Sequence, residues 1–592
     1  MMNLFQVFKN LFLLGYSLNN FIYNTYFKYY FHIIAFYFTI AAFSFCYSSS
    51  TFHEDTLIIH PISFTTESPK GWVAQYKTNI DFPDESWSWR KIYMIQTLKC
   101  DSLTNADKYD CGEWDYIWDA LLYVPQGDSI EIFKLGSFVT PYGKRLNMGG
   151  EKGWQWVYDI SDYSPLLRGK RELHIGNNQE LLDLKFYFIG GTPYRESMSV
   201  ENIYSLGSNY DGHYGYTHTY NDLSKDLVLT EKEIELNPNA SGYSIKAIIS
   251  GHGHEGPKNC CEWTSKSHSY IINGLKEFTW DVWTDCGNNP LYPQGGTWPY
   301  DRAGWCPGTK VDEYIFELTH KVDSGQNIKI NYEIEKMVDS LESKGIYRMS
   351  HQLFSFGPPN YERNLEIVDI INPSSKDKYS RINPSLSHPT VVVKNIGSKN
   401  IRRIKFVYGL VNGKHSLYRW KGNISFLDQI EIQLPFIEWT GLKQHQRFFV
   451  NAKTLNGRVD ENNVDNILFS QVQLPEVFPN QFIFNLKTNN LGRAKENKYE
   501  ITDYNGHIYY SSYNLIDSTN YNISVNLDPG FYRFVFSDSE ENGIDRLWWH
   551  QKDSVGTSGK IDFYDVNKNL IKTFSPDFGQ EIRMDFIVGS LP

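Results

Sequence analysis

Short runs of apolar or alternating residues recur along this chain from about residue 50, and helical periodicity is hard to find after that point. Examples are Lys91–Gln96, Ala120–Val124 and Leu184–Ile189. Clusters of Gly, Pro, Asn and Asp separate such runs, as at Gly190–Pro193 and Asn288–Pro290. Aromatic residues, which favour strands, make up 16% of the chain. The pattern predicts an all-β fold of antiparallel sandwiches or barrels.

Length and turn signals divide the chain into several domains. A chain of 592 residues is long enough for about three to five of them. We place boundaries near residues 193–205 and near residues 357–359, where the cysteines cease and the composition shifts. The runs after residue 365 are typical of an immunoglobulin-like β-sandwich, and those after residue 478 of another small β-domain. The predicted domains are 51–200, 201–357, 365–475 and 478–592.

Residues 1–50 differ from the rest of the chain. Phe31–Cys46 is an apolar run with one histidine, preceded by Lys9 and Lys28 and followed by small polar residues. This arrangement is typical of a secretory signal, so we expect a secreted, extracellular or periplasmic protein. Two alternatives stay open. The run could span or anchor in a membrane, although about 16 residues is short for a bilayer, and Cys46 could carry a lipid.

The number of cysteines and the net charge exclude some kinds of site and partner. An even number of cysteines in an exported protein indicates disulfides rather than metal ligation. The net charge of −11 and the lack of a Lys/Arg run argue against a nucleic-acid partner. The six cysteines outside residues 1–50 lie within one stretch of the chain: Cys100, Cys111, Cys260, Cys261, Cys286 and Cys306.

Three short segments combine a cysteine, a tryptophan and charged groups. They are Cys111–Asp115 (CGEWD), Cys260–Trp263 (CCEW) and Asp301–Gly308 (DRAGWCPG). Tryptophan stacks on the apolar face of a sugar ring, whereas carboxylates accept hydroxyl groups or activate water. Arginine can hold a carbonyl oxygen. A lone E-W-D sequence is usually a strand end with a solvated acid, but three such segments together indicate a carbohydrate-directed active site.

These segments resemble the peptide-N-glycosidase F family of bacterial peptide-N4-(N-acetyl-β-glucosaminyl)asparagine amidases. The resemblance covers roughly residues 85–330 and implies two adjacent jelly-roll β-sandwiches, at 51–200 and 201–357, with the active site between them. Two smaller β-sandwich accessory domains would follow. The motifs that carry the resemblance occur in the family's order and spacing: Cys111–Asp115, Phe138–Tyr142, Gly191–Pro193, Ser250–His254, Glu262–Trp263 and Asp301–Gly308.

The resemblance also implies roles for individual residues. Asp115 corresponds to the principal catalytic aspartate, and Glu262 to a second essential acid. Asp115 would activate water and position the sugar, Glu262 would organise the site, and Arg302 would polarise or hold the amide carbonyl. The products would be an Asp-containing peptide and a glycosylamine that then loses ammonia, with no metal or other cofactor required. The residues expected to bind substrate are Arg302, Trp114, Trp305, His254, Asn178 and Asn209.

Some positions depart from the family pattern. Asn178 stands where the family has a third acidic residue, although a shifted alignment offers Glu180 instead. Tyr116 replaces an arginine after the catalytic aspartate. Both changes lie where the core GlcNAc and any core fucose would sit, so a glycan preference cannot be transferred.

The cysteines follow the family pattern only in part. Cys100–Cys111 and Cys286–Cys306 match disulfides of the family. The family's short C-x-x-x-C bridge is interrupted because Thr264 takes the place of its second cysteine. Cys260 and Cys261 could therefore form a vicinal bridge or stay free.

Three other functions compete with an amidase. His252 and His254 on a strand would point to one face, as in the copper-dependent peptide monooxygenases of similar architecture, although a hydrogen-bonded pair in a loop is the commoner arrangement. A non-catalytic glycan-binding or adhesion protein and a two-carboxylate glycosidase are the others. The expected partners are N-glycoproteins and glycopeptides, and we expect a monomer. Asp538–Gly543 could bind calcium but reads more simply as an acidic turn.

Overall fold

The structure is a computed structural model that describes most of the chain beyond residue 55. The described ranges are 56–71, 75–84, 86–103, 108–176, 179–206, 217–254, 260–337, 344–382, 387–439, 442–443, 445–553 and 555–589. The predicted signal or anchor segment, Asn178 and Asn209 lie outside them. Among the described residues, no helix combines the length and apolar character needed to span a bilayer.

Four pairs of packed sheets make up the described chain, each pair around its own apolar core. The predicted all-β class with sandwiches is thereby confirmed. The one α-helix among the described residues, α1, is a single turn at Tyr220–Ser224. Short 3₁₀ turns lie at Gly150–Lys152, Ser161–Tyr163, Asp377–Tyr379, Ala494–Glu496 and Trp548–His550.

The first sandwich packs a four-stranded sheet against a five-stranded one. Alternating buried and partly buried residues along the strands, as in Trp89–Cys100, turn one face of each sheet toward the core. Its strands are β1 (Thr56–Ile62), β2 (Tyr76–Phe82), β3 (Trp89–Cys100), β4 (Ile117–Gln126), β5 (Ser129–Val139), β6 (Trp154–Asp159), β7 (Gly169–Ile175), β8 (Glu180–Gly190) and β15 (Thr309–Lys310). The sheet orders are β1-β8-β3-β6 and β15-β5-β4-β7-β2.

The second sandwich has the same plan. Its strands are β9 (Arg195–Asn202), β10 (Thr217–Thr219), β11 (Lys232–Glu235), β12 (Gly242–His252), β13 (Lys266–Ile272), β14 (Leu275–Val282), β16 (Glu313–Glu317), β17 (Asn327–Ile334) and β18 (Ile346–Pro359). One sheet has the order β10-β18-β12-β16, with β9 also paired to β18, and the other has the order β11-β17-β13-β14.

The third and fourth sandwiches follow along the chain. The third sandwich comprises β19 (Leu365–Asn372), β20 (Thr390–Asn395), β21 (Ile401–Leu410), β22 (His415–Ile424), β23 (Gln429–Gln433), β24 (Arg447–Leu455) and β25 (Ile467–Gln471). The fourth comprises β26 (Glu476–Phe478), β27 (Gln481–Lys487), β28 (Asn497–Asp503), β29 (Ile508–Ser512), β30 (Asn520–Asn526), β31 (Gly530–Asp538), β32 (Lys560–Asp565), β33 (Leu570–Phe574) and β34 (Glu581–Val588). Their sheet orders are β19-β20-β23, β22-β21-β24-β25, β26-β34-β31-β28-β29 and β30-β27-β32-β33.

The first two sandwiches are joined by more than surface contact. Strand β15 belongs by sequence to the second half but pairs antiparallel with β5, so that it completes a sheet of the first sandwich. Val139, Ile248, Trp305 and Val311 form a small apolar core at this junction.

A buried charge cluster also crosses the junction. Asp119 on β4 lies 3.2 Å from Lys134 on β5 and 2.6 Å from Arg348 on β18 of the second sandwich. All three side chains are buried. These contacts hold the two sandwiches in one arrangement, and the loops beside them are therefore placed with precision.

Candidate active site

The three segments that combine cysteine, tryptophan and charge come together at the junction of the first two sandwiches. Each carries a disulfide beside its charged residue: Cys100–Cys111 before Asp115, Cys260–Cys261 before Glu262, and Cys286–Cys306 after Arg302. The two pairings expected from the family pattern are confirmed, and the adjacent cysteines are bridged to each other. Cross-links of this kind restrict the loops that present the charged side chains.

Backbone hydrogen bonds connect the two segments of the second sandwich. Ala303 N donates to Glu262 O over 3.0 Å, and Glu262 N donates to Gly253 O over 3.0 Å. Arg302 and Thr284 exchange backbone hydrogen bonds of 3.2 and 2.8 Å. The loops that carry Glu262 and Arg302 therefore behave as one unit against the end of β12.

Asp115 faces this unit from the first sandwich. The Tyr142 hydroxyl donates to Asp115 Oδ2 over 2.7 Å. Burial raises the pKa of Asp115 to about 6; the Arg302 guanidinium opposes that rise, and the Glu262 carboxylate adds to it. Burial also raises the pKa of Tyr142, which keeps its hydroxyl a neutral donor. Asp115 is thus an acid whose charge is only partly balanced by its surroundings.

Arg302 organises the opposite side of the site. Its Nε donates to Glu262 Oε1 over 3.2 Å, its Nη1 to Tyr300 O over 2.6 Å, and its Nη2 to the carbonyl and hydroxyl oxygens of Thr297, both over 2.9 Å. The guanidinium also stacks on Trp263, 4.3 Å from the ring centroid. Four of the five guanidinium donors are occupied by these protein groups.

Two of the residues expected to bind substrate, Arg302 and Trp305, are buried. Arg302 is 0% exposed, so its guanidinium does not line open space where a substrate carbonyl could be held. Trp305 is 2% exposed, donates from Nε1 to Gly251 O over 2.8 Å, and lies 4.9 Å from the Arg302 guanidinium. We therefore assign Arg302 to positioning Glu262 and balancing charge near Asp115, and Trp305 to supporting Arg302.

Two of the expected substrate residues are accessible. The Trp114 side chain, next to Asp115, is 49% exposed. His254 is exposed just beyond the end of β12, next to Gly253, whose carbonyl receives the Glu262 amide. Both side chains are open to solvent, and Trp114 is the chain neighbour of Asp115.

The loop that presents Asp115 is held by residues to which the sequence assigned no role. Thr140 Oγ1 donates to Trp114 O over 2.9 Å and accepts the Tyr116 amide over 2.7 Å. Gln179 donates to Trp114 O over 3.1 Å and accepts the Glu113 amide over 3.2 Å. The sequence did point to both regions, because Thr140 lies within the Phe138–Tyr142 motif and Gln179 lies between Asn178 and Glu180.

Glu180, the other residue that could correspond to the family's third acid, lies in the first sandwich. Glu180 begins β8, opposite Cys100 in the strand register, and is buried. Among the groups that alter the pKa of Asp115, Glu262 is the carboxylate that raises it. The carboxylate whose charge acts on Asp115 across the junction is therefore that of Glu262.

The two histidines considered for copper have different surroundings. His252 Nε2 lies 2.8 Å from Ser250 Oγ, and the ring stacks on Trp305 at 5.2 Å. Burial lowers the pKa of His252 to about 3, so the ring is neutral. Within the described ranges neither histidine belongs to a group of three potential metal ligands.

One group of three acids does occur. Ligand oxygens of Asp285, Asp301 and Glu541 lie within 4.8 Å of one another, and Glu541 comes from the acidic turn considered for calcium. Exposed acids cluster in this way without an ion, and no further observation in the described chain points to a bound cation there.

The arrangement suits hydrolysis assisted by a general base. A carboxylate with a pKa near 6 is mostly ionised at neutral pH and still basic enough to accept a proton from water. Tyr142 fixes its orientation, and an exposed indole lies beside it. Such a site can bind a sugar-bearing substrate and attack an acyl or amide carbon.

Comparison with known proteins gives three similarities. Residues 219–354 match the family model described as peptide-N-glycosidase F, C terminal. The chain is 30% identical over 266 residues to peptide-N(4)-(N-acetyl-β-D-glucosaminyl)asparagine amidase F of Elizabethkingia miricola, which covers 42% of this chain and 70% of that protein. A solved structure of PNGase F, a glycosylasparaginase from Flavobacterium meningosepticum, is 25% identical with a TM-score of 0.41, and the match covers 51% of this chain and 96% of that one.

Proposed function

Because this chain belongs to the peptide-N-glycosidase F family, we propose that it cleaves the amide bond between an N-linked glycan and the asparagine side chain. The products would be a peptide with aspartate at the former asparagine and a glycosylamine. The observation that carries the proposal is the partly balanced Asp115 carboxylate, with a pKa of about 6, beside Glu262 and Arg302.

In this mechanism Asp115 acts as the general base. It accepts a proton from a water molecule while the water oxygen attacks the amide carbon. The carbon–nitrogen bond then breaks, and the glycosylamine nitrogen takes up the proton that Asp115 received. Since the pKa of Asp115 is about 6, the carboxylate is ionised at neutral pH and can be protonated transiently without a large energetic cost.

The surrounding groups keep Asp115 oriented and set its basicity. The Tyr142 hydroxyl holds one carboxylate oxygen, which leaves the other available for water. Glu262 shares the positive charge of Arg302, so that this charge is not wholly directed at Asp115. Glu262 and Arg302 are therefore positioning residues in the proposed reaction.

The substrate would be an N-glycoprotein or glycopeptide. The exposed Trp114 indole offers an apolar face on which the sugar next to the scissile bond can stack. We expect the enzyme to act outside the cytoplasm, because N-glycoproteins are found there and three disulfides stabilise the described chain.

The test uses a denatured N-glycoprotein in heavy-oxygen water, with peptides identified by mass spectrometry. We expect conversion of glycosylated asparagine to aspartate carrying one heavy oxygen, and no conversion by the Asp115→Asn variant. Activity that persists in EDTA would separate this reaction from the copper alternative. Intact glycopeptides, with or without core fucose, would overturn the proposal, and peptides that retain one GlcNAc would identify a glycosidase instead.

A further inference from the structure

The fourth sandwich reaches the edge of the candidate active site through one short turn. This turn, a single 3₁₀ turn at Trp548–His550, carries two adjacent tryptophans. Their side chains are 38% and 55% exposed. Isolated exposed apolar residues are ordinary on protein surfaces, whereas neighbouring exposed apolar side chains that form a patch indicate a binding site.

Trp549 belongs to a series of aromatic contacts that connects the fourth sandwich to Arg302. Trp549 stacks on Tyr300 with ring centroids 6.0 Å apart, and Tyr300 meets Trp263 edge to face at 6.4 Å. Trp263 in turn lies under the Arg302 guanidinium, and the Tyr300 carbonyl accepts a hydrogen bond from Arg302. The series therefore leads from the fourth sandwich to the Glu262–Arg302 pair.

The other indole lies next to the Asp115 side of the site. Lys144 places its ammonium group 5.0 Å from the Trp548 ring centroid, and Lys144 is two residues from Tyr142, the hydrogen-bond donor to Asp115. Gly295 also approaches the Trp548 ring, and a methyl group added there would lie 3.7 Å from it. Trp548 and Trp549 thus lie beside the segments that carry Tyr142 and Arg302, the hydrogen-bond partners of Asp115 and Glu262.

Ion pairs fix this turn to the first two sandwiches. Arg145 of the first sandwich binds Asp545 over 2.7 Å and Asp577 over 3.0 Å. Trp298 of the second sandwich donates to Asp577 over 2.9 Å. Across the turn, Gln551 Nε2 donates to Arg546 O over 2.9 Å, which ties together the residues that flank Trp548–His550. A surface held in place in this way loses little conformational entropy when a ligand binds.

The chemistry of the surface identifies the kind of ligand. Flat indole faces suit the apolar faces of pyranose rings, and Lys144, His550 and Asp553 around them can bind hydroxyl groups. The contacts of Trp549 with Tyr300 and of Tyr300 with Trp263 connect this surface to the Glu262–Arg302 pair of the candidate site. We propose that Trp548 and Trp549 form a distal subsite for the outer sugars of the substrate glycan, an inference that rests on the proposed function.

The test compares two glycopeptides with the same peptide: one carries a full oligosaccharide and the other only the two innermost GlcNAc residues. We expect Trp549→Ala to reduce the ratio of kcat/KM for the long substrate over the short one by about three- to tenfold, through KM. Trp548→Ala/Trp549→Ala should reduce the ratio further, and Trp549→Phe should restore part of it. Trp87→Ala is the matched control, because Trp87 is 52% exposed and stacks on Trp89 of the first sandwich.

A second measurement separates this inference from the proposed function. Titration of the intact protein with the free oligosaccharide, followed by calorimetry, reports binding without cleavage. Binding that is lost in the double variant supports the subsite even if the wild-type protein cleaves neither glycopeptide. An unchanged substrate ratio and unchanged oligosaccharide binding in a double variant that melts like the wild type would overturn the subsite, whatever the activity.

Discussion

Asp115 and Asp119 lie four residues apart but differ in how far nearby cations balance their negative charge. Asp119 is buried between Lys134 and Arg348 and also accepts a hydrogen bond from Ser137. Asp115 has one cation nearby, Arg302, which is already paired with Glu262. Both acids link the first sandwich to the second, but only Asp119 has its charge fully matched.

The difference shows how one strand and its preceding loop can carry both a structural and a reactive carboxylate. A buried acid paired with two buried cations is structural, because removing it would leave the positive charges of Lys134 and Arg348 without a partner. An acid that is largely removed from water, and whose neighbouring cation is already paired with another carboxylate, keeps a raised pKa and remains able to accept a proton. Substitutions at the two positions should therefore separate stability from activity.

The largest expected effect is on activity, at Asp115. We expect Asp115→Asn to lower kcat by about 10²–10⁴-fold, because the amide cannot accept a proton from water. The same change should raise the free energy of unfolding at pH 7 by about 1–3 kcal/mol, since the folded protein no longer has to hold an ionised carboxylate whose pKa is raised. Steady-state assays and urea denaturation measure the two effects. A variant that loses both activity and stability would contradict the contrast with Asp119.

Substitution of Asp119 should lower stability, whereas substitution of Asp115 should raise it. We expect Asp119→Asn to lower the free energy of unfolding by about 3–5 kcal/mol, because Lys134 and Arg348 remain buried without a counter-charge. Denaturation monitored by tryptophan fluorescence checks this. Glu67→Gln breaks the surface pair with Lys70 and should give no measurable change. Wild-type stability of the Asp119 variant would mean that the cluster is not needed to join the sandwiches.

A smaller effect is expected at Glu262. In Glu262→Gln the negative charge that helps to raise the pKa of Asp115 is gone, while an oxygen remains for Arg302. The carboxylate of Asp115 is then a weaker base, and we expect kcat/KM to fall by about 10- to 100-fold. The acid limb of the pH profile should move to lower pH. A shift to higher pH would show that Glu262 does not act through the charge of Asp115.

Tyr142→Phe should produce the smallest change. The variant loses the hydroxyl that donates to Asp115 Oδ2 and thereby lowers the pKa of the acid. In the wild type, activity should fall as pH drops through about 6, where Asp115 becomes protonated. In the variant this acid limb should move to higher pH, and kcat/KM at pH 7 should fall by about tenfold or less. An unchanged limb would remove Tyr142 from the set of groups that tune Asp115.

The all-β class could be predicted from the sequence because alternating residues reveal which strand faces are buried. The three charged segments were also recognisable, since each combines a cysteine with a tryptophan. The burial of individual residues could not be predicted, because nothing local in DRAGWC shows that Arg302 and Trp305 are enclosed. Contacts between distant residues were equally hidden, such as that of Tyr142 with Thr297, 155 residues later.

The sequence also did not predict the contacts of the fourth sandwich with the candidate site, because these contacts join residues that are distant in the chain. The acidic turn at Asp538–Gly543 attracted notice through its composition, whereas the tryptophans that follow it did not. Their position beside Tyr300 depends on the ion pairs of Arg145 with Asp545 and Asp577, which join residues about 400 positions apart. No pattern within a single segment reports such a contact.

Because β15 comes from the second half of the sequence but completes a sheet of the first sandwich, the two sandwiches cannot be separated by cutting the chain between them. A recombination event that separates the two halves would leave one sheet without its edge strand and β5 with unpaired backbone groups. The same cut would remove Trp305 and Val311 from the junction core. The smallest unit that evolution or an engineer can transfer intact is therefore the pair of sandwiches, and a fusion or circular permutation should place its breakpoints outside residues 56–359.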